Sequence, residues 1–230
     1  MDVDAVSVAL RNYIQTYRAQ LAQVPVIQSQ LLELGAFILA AEHYRATGYT
    51  VTVTNLIRGE FRMKRTSRGR PWRFSWFTVS KGPRTAEIHA NISVAGAYGV
   101  DSSRYVVDVG VCEQGAVPCE EDKTWVSVEN HALRTFVEAK RLTIYPMLLA
   151  QFVGIVHEIK PEFLRPTIQN LSETGDFEPT LVTTGPWARS CEEIYRYYPK
   201  RGFRLRVIPN LDDTLARLRR GALPRSPFRV

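Results

Sequence analysis

Phe136-Val137-Glu138-Ala139-Lys140 sets an acid and an amine inside an apolar stretch where burial alone would favour another valine. An ionised group in such a run is costly unless it is paired, hydrated or metal-bound. If 136 to 140 is a strand, the two-residue period places Glu138 and Lys140 on one face, with Val137 and Ala139 on the other. Earlier in the chain, Val106-Val107-Asp108-Val109 sets a lone aspartate in an equally β-leaning run. Were the two strands neighbours, that aspartate would converge with the acid and the amine. A helical reading competes: within a helix from 130 to 142 the two charges would stand about 200° apart on a solvated face. Asp108 likewise has a quieter reading, as a satisfied acid paired with Arg104 or Lys140.

Working outward, the expected strand from 136 to 142 is followed by Pro146, which suits a first helical turn, and by an apolar run through Val156 that predicts a buried helix. His157 on that helix reads as core. Beyond it, 180 to 184 predicts a strand, 191 to 198 a helix, 203 to 208 a strand and 211 to 220 a terminal helix. Upstream, residues 3 to 21 and 27 to 46 carry helical periodicity, separated by Pro25 and closed by Gly48. The alternating, β-branched run from Tyr49 to Thr54 predicts a strand. Residues 72 to 79 and 86 to 94 predict a hairpin turning at Lys81-Gly82-Pro83-Arg84, and 104 to 112 the next strand. This order predicts an α/β protein with a mixed central sheet flanked by helices.

At 230 residues the chain has the length of one domain with decorations. The expected layout is an N-terminal helical segment over 1–26, a core over 27–220 and a loose tail over 221–230. The 45% hydrophobic and 23% charged composition belongs to a soluble globular class, and no apolar run reaches membrane-spanning length. An acidic start (Met1-Asp2-Val3-Asp4) and three cysteines without CxxC spacing predict a cytoplasmic protein with reduced thiols, no structural zinc and no membrane partner. No phosphate-binding glycine loop occurs, which argues against nucleotide hydrolysis.

An aspartate in an apolar strand followed by Glu-x-Lys in the next strand resembles the PD-(D/E)xK nuclease superfamily. The resemblance spans roughly 27 to 208 and implies a restriction-endonuclease-like core of helix, three strands, helix and strand, with 58 to 94 as a basic β-hairpin insertion. It implies Asp108 and Glu138 as metal ligands and Lys140 as a catalytic residue. It also implies a glutamate on the first core helix, with Glu33 the first candidate and Glu42 the second. One departure is Val107, where many members carry proline. The chemistry of those residues agrees. Mg²⁺, or Mn²⁺ in its place, takes oxygen ligands from one or two carboxylates, and an ammonium stabilises charge on a phosphate under attack.

The net charge is +7, and 58 to 73 carries +6 of it: seven basic residues against Glu60 alone. Such a footprint fits a polyanion. Arg62, Lys64, Arg65, Arg68, Arg70 and Arg73 are the expected nucleic-acid contacts, with Phe61, Trp72, Phe74, Trp76 and Phe77 interleaved or adjacent. Those aromatics read as core, with stacking on a base as the alternative. His89 in its strand reads as structural. The reading as a whole is a Mg²⁺-dependent endonuclease acting on DNA, with RNA as the alternative substrate and restriction or phage defence as the setting by analogy. Double-strand cleavage would take a homodimer or successive nicks. The competing readings are a non-catalytic nucleic-acid-binding module on the same fold, and a subunit of a larger assembly.

Overall fold

The computed structural model describes residues 3–17, 19–21, 28–99, 103–119, 126–165, 175–211, 213–215 and 228. In chain order these form α1 (Val3–Thr16), β1 (Gln20–Leu21), α2 (Gln28–Ala46), β2 (Thr50–Thr54), β3 (Glu60–Phe61), β4 (Trp76–Lys81), β5 (Arg84–Ala95), β6 (Arg104–Glu113), β7 (Leu133–Lys140), α3 (Pro146–Ile159), β8 (Thr180–Thr183), α4 (Cys191–Tyr197) and β9 (Arg206–Ile208). The predicted tail and most of the terminal helix lie outside the described residues.

One seven-stranded sheet runs β2-β4-β5-β6-β7-β8-β9. Successive pairs from β2 to β7 are antiparallel, and β8 and β9 run parallel to β7. The fold is therefore mixed α/β, with a mostly antiparallel sheet between helical layers. Two-residue β1 and β3 form a separate parallel pair.

Helix α2 is apolar nearly all round, with every residue from Leu31 to Tyr44 buried except the half-buried Glu33. That composition suits a helix covered on both sides. One side lies on β5, β6 and β7, and α1 closes the other. A further flank meets the 211–215 segment. A Cβ on Gly35 would stand 3.0 Å from a Leu215 methyl, so a glycine lets the two pack closely. Gly48, at φ 84°, stops the helix in the left-handed region that glycine adopts without strain.

The opposite face of the sheet packs on α3 through Leu148, Leu149, Phe152, Val156 and Ile159. His157 falls off this stripe. Its side chain is exposed and its Nε2 meets the Tyr98 hydroxyl at 3.1 Å, so the core expectation for it is corrected. The basic hairpin also needs correction. Strands β4 and β5 are not an insertion beside the core but part of the sheet, and β5 pairs with β6 along nearly its full length. Hydrophobic alternation carried both strands into the interior, while the basic residues were left on the irregular segment before β4.

Candidate functional site

Glu138 and Lys140 lie on strand β7, which removes the helical reading of that stretch. The ladder between β6 and β7 ends at Val109↔Val137, while β7 stays paired with β8 through Lys140. The sheet therefore forks, and Asp108, Glu138 and Lys140 stand at the opening. Asp108 stitches the fork: its Oδ2 accepts the backbone N–H of Ala139 at 2.8 Å, in place of a ladder bond. Lys140 Nζ donates to Glu138 Oε2 at 2.8 Å and to Asp108 Oδ2 at 3.3 Å. Two acids and an amine from separate strands thus meet at one point, as their spacing predicted.

The backbone around Asp108 departs from regular alternation. In β5, Ala86, Ile88 and Ala90 pack beneath α2, but Ile92 and Val94 pack on the α3 side. A regular strand would keep those even-numbered residues on one face. The phase changes at Asn91, whose φ of 51° lies in the left-handed region that asparagine tolerates better than most residues. β6 makes the matching change between Val107 and Val109. The flanking pairs Ala90↔Val109 and Ile92↔Val107 put Asn91 opposite Asp108. Gly110 permits this crossing, since a Cβ there would lie 2.4 Å from the Ile92 Cδ1.

Asn91 brings the helix glutamate to the site. Its Nδ2 donates to Glu33 Oε2 at 2.8 Å and to the Lys64 carbonyl at 3.1 Å. Burial raises the pKa of Glu33, the Asn91 bond opposes that rise, and the charges of Asp108 and Lys140 both act on it. Glu33 is therefore within electrostatic reach of the fork. Glu42 is not the helix residue of this site. It lies nine positions along α2, about 13 Å by helical rise, buried beside Tyr13 and paired with Arg45.

Glu138 is 4% exposed. Burial and then the neighbouring Asp108 charge raise its pKa, and Lys140 pulls it back down. For Lys140, burial acts to lower the pKa, but the Glu138 and Asp108 carboxylates outweigh it and the net shift is upward. The amine is thus held cationic across the neutral range, as an electrostatic donor rather than a base. Among the described residues no cluster of three acidic, histidine or cysteine side chains gathers as a metal cage. The donor set is two carboxylates, Asp108 and Glu138, each touching Lys140 through one oxygen. That set suits a hard cation that completes its shell with water and substrate oxygens.

The basic segment divides. Lys64 is 3% exposed, and its Nζ donates to the carbonyls of Thr66 at 2.6 Å, Ser67 at 3.1 Å and Asn91 at 2.5 Å. It is removed from the set of phosphate contacts, because all three of its donors are spent on backbone. Burial lowers its pKa to about 8. Arg62, Arg68 and Arg73 are exposed, and Arg65 and Arg70 half-buried. Arg62 stands 3.8 Å from Glu60, and Arg70 lies over the Trp72 ring.

Asn91 and Lys64 escaped sequence reading. An asparagine within a hydrophobic β run was the available signal for the first. Nothing in a run of seven basic residues marks which one turns inward. His89 is structural as expected: its Nε2 meets Glu87 at 3.0 Å, and its ring stacks on Trp76. The three cysteines are free. No helix among the described residues is long and apolar enough to cross a membrane. Comparison with protein-family models, curated proteins and solved structures finds no match to the chain.

Proposed function

We propose that the chain is a metal-dependent nuclease with a restriction-endonuclease-like core, acting on DNA. The observation that carries this reading is the fork itself, where Lys140 Nζ touches the carboxylates of Asp108 and Glu138 and Glu33 stands beyond Asn91. The order α2, antiparallel β5-β6-β7, α3, then β8 parallel to β7 supports the core assignment, with β2 and β4 added at one edge.

Asp108 and Glu138 would hold Mg²⁺ or Mn²⁺. When bound, such an ion supplies a lowered pKa for its water and neutralises phosphate charge. Lys140 Nζ would donate to a non-bridging phosphate oxygen, or orient the attacking water, stabilising charge as it develops. Asn91 bonds Glu33 Oε2, and Glu33 would complete the site as the carboxylate from the first core helix, able to accept a proton from that water. The exposed arginines of 58–73 would hold the nucleic-acid backbone and account for binding that weakens with salt.

The test is incubation of supercoiled plasmid, single-stranded DNA and RNA with the pure protein and either ion, beside Asp108→Ala and Lys140→Ala. Metal-dependent cutting that both variants lose is the expected result. A second reading, a binding module on the same fold, draws on the closure of the fork, where Lys140 already neutralises a nearly wholly buried Glu138. Salt-sensitive DNA binding that persists in Glu138→Ala, with no cutting under either ion, would replace the nuclease by that module.

A further inference from the structure

The segment that Lys64 anchors contributes Arg65 and Thr66 to the lining of an open pocket of about 400 Å³, large enough for one nucleotide. Phe61 and Met63 are buried and give it an apolar base. Phe74 is half-buried in its wall, and Arg62, Arg65 and Glu60 line the remainder. The geometry points to this pocket as a site for a single unstacked nucleotide, its base against Phe74 and its phosphate held by Arg62 and Arg65. Such a role rests on the nuclease function proposed above and gives it a substrate class: single-stranded or locally unpaired nucleic acid.

Two independent features support it. The first is the division of labour among the aromatics of this region. Phe61 and Phe77 pack with Phe37 in the core, Trp76 stacks on His89, and Trp72 takes Arg70. Phe74 is the half-buried ring that lines a cavity, and Gly69 passes close over its edge, where a Cβ would lie 3.5 Å away. Base-on-ring stacking with a nearby cation is the common means of holding a single strand without reading its sequence.

The second feature is the mounting. Lys64 sits in sequence between two pocket residues, Met63 and Arg65, and its ammonium ties the Thr66 and Ser67 carbonyls to that of Asn91. Asn91 in turn bonds Glu33 and faces Asp108 across the β5–β6 ladder. Asn91 therefore links the segment beside the pocket, through Lys64, to the strand position opposite Asp108. A base held in the pocket sets its own strand at a fixed offset from the carboxylates. A base within a duplex has both faces stacked and cannot enter unless it is extruded.

The test uses the full chain in chelator, so that nothing is cut, with a short single-stranded oligodeoxynucleotide carrying one 2-aminopurine and with its duplex. Quenching on binding, and tighter binding of the single strand than of the duplex, is the expected result. Phe74→Leu should weaken single-strand binding about tenfold and remove the quench, since a base loses its stacking partner. Phe74→Tyr keeps the ring and should keep both, which separates stacking from folding. Arg65→Gln should weaken binding severalfold with the quench retained. Single-strand binding and quenching by Phe74→Leu that match the unaltered protein would overturn the pocket. Quenching that depends on Phe74 in a protein that cuts nothing under Mg²⁺ or Mn²⁺ would uphold the pocket and remove the nuclease.

Discussion

The fork at Asp108, Glu138 and Lys140 and the basic segment from Arg58 to Arg73 are both dense in charge, and they are built in opposite ways. At the fork every charged group rises from a strand, and its neighbours in space are set by sheet register. Opposite charges there satisfy one another, which is what burial demands. In the basic segment the charges share one sign and ride on irregular backbone, with Arg58, Gly59 and Gly69 at positive φ. Repulsion among them is tolerable because most face water. Lys64 is the buried member, and among the described residues three carbonyls rather than a carboxylate take its donors. The lesson is that a cluster of like charges needs one of its own members turned inward to hold the loop, whereas a mixed cluster in a sheet holds itself.

The largest expected effect breaks the fork. Asp108→Ala and Lys140→Ala should each lower cleavage rate by about 10²–10³-fold or more, measured on a linear labelled substrate, because the first would remove a carboxylate for the proposed ion and the second a cation for the phosphate. Lys140→Met should also cost roughly 3 kcal/mol of stability in denaturant, the low end for a broken buried pair, since Lys140 keeps 37% of its side chain exposed. Raised melting temperature of that variant on adding Mg²⁺ would show the two carboxylates taking a cation in place of the amine.

Glu33→Gln should lower the rate about a hundredfold, the low end for a positioned acid–base group, and Glu42→Gln should leave it unaltered. Equal effects of the two would remove Glu33 from the site, because Glu42 is sequestered with Tyr13 and Arg45 on the far part of α2.

Lys64 gives a pH dependence that sharpens the contrast. Its folded pKa of about 8 lies below the ordinary 10.5. Between these values the unfolded chain holds the proton that the folded chain has released, so this residue's contribution to stability rises with pH. Measured against Lys64→Met, the unaltered protein should gain roughly 2 kcal/mol between pH 8 and pH 9.5. A flat difference would mean that the three carbonyls hold the ammonium charged despite its burial. The smallest effect is at the exposed arginines. Arg68→Gln should weaken duplex binding a few-fold and reduce the slope of log affinity against log salt by about one. An unchanged slope would place Arg68 away from the phosphates.

How far the residues alone foretold this arrangement differs along the chain. Strands β6 and β7 were legible because valines flank Asp108 and Phe136, Val137 and Ala139 surround Glu138, and period two then assigned Glu138 and Lys140 to one face. Their meeting with Asp108 followed from neighbouring strands. The hairpin expected at 72–79 and 86–94 was legible too, with its first strand beginning later, at Trp76, yet its place in the sheet was not, since alternation says which residues are buried but not which strand lies alongside. His157 was misplaced because a helix rich in apolar residues hides which stripe faces the sheet.

Residue order by itself settled the elements and the charges embedded in them, because periodicity and the cost of an unpaired charge act over a few neighbouring positions. Packing decided the rest. It selected Glu33 over Glu42, turned Lys64 inward and gave Asn91 a left-handed backbone opposite Asp108. Each of those outcomes depends on what stands across a gap from residues tens of positions away, and no local pattern carries that information.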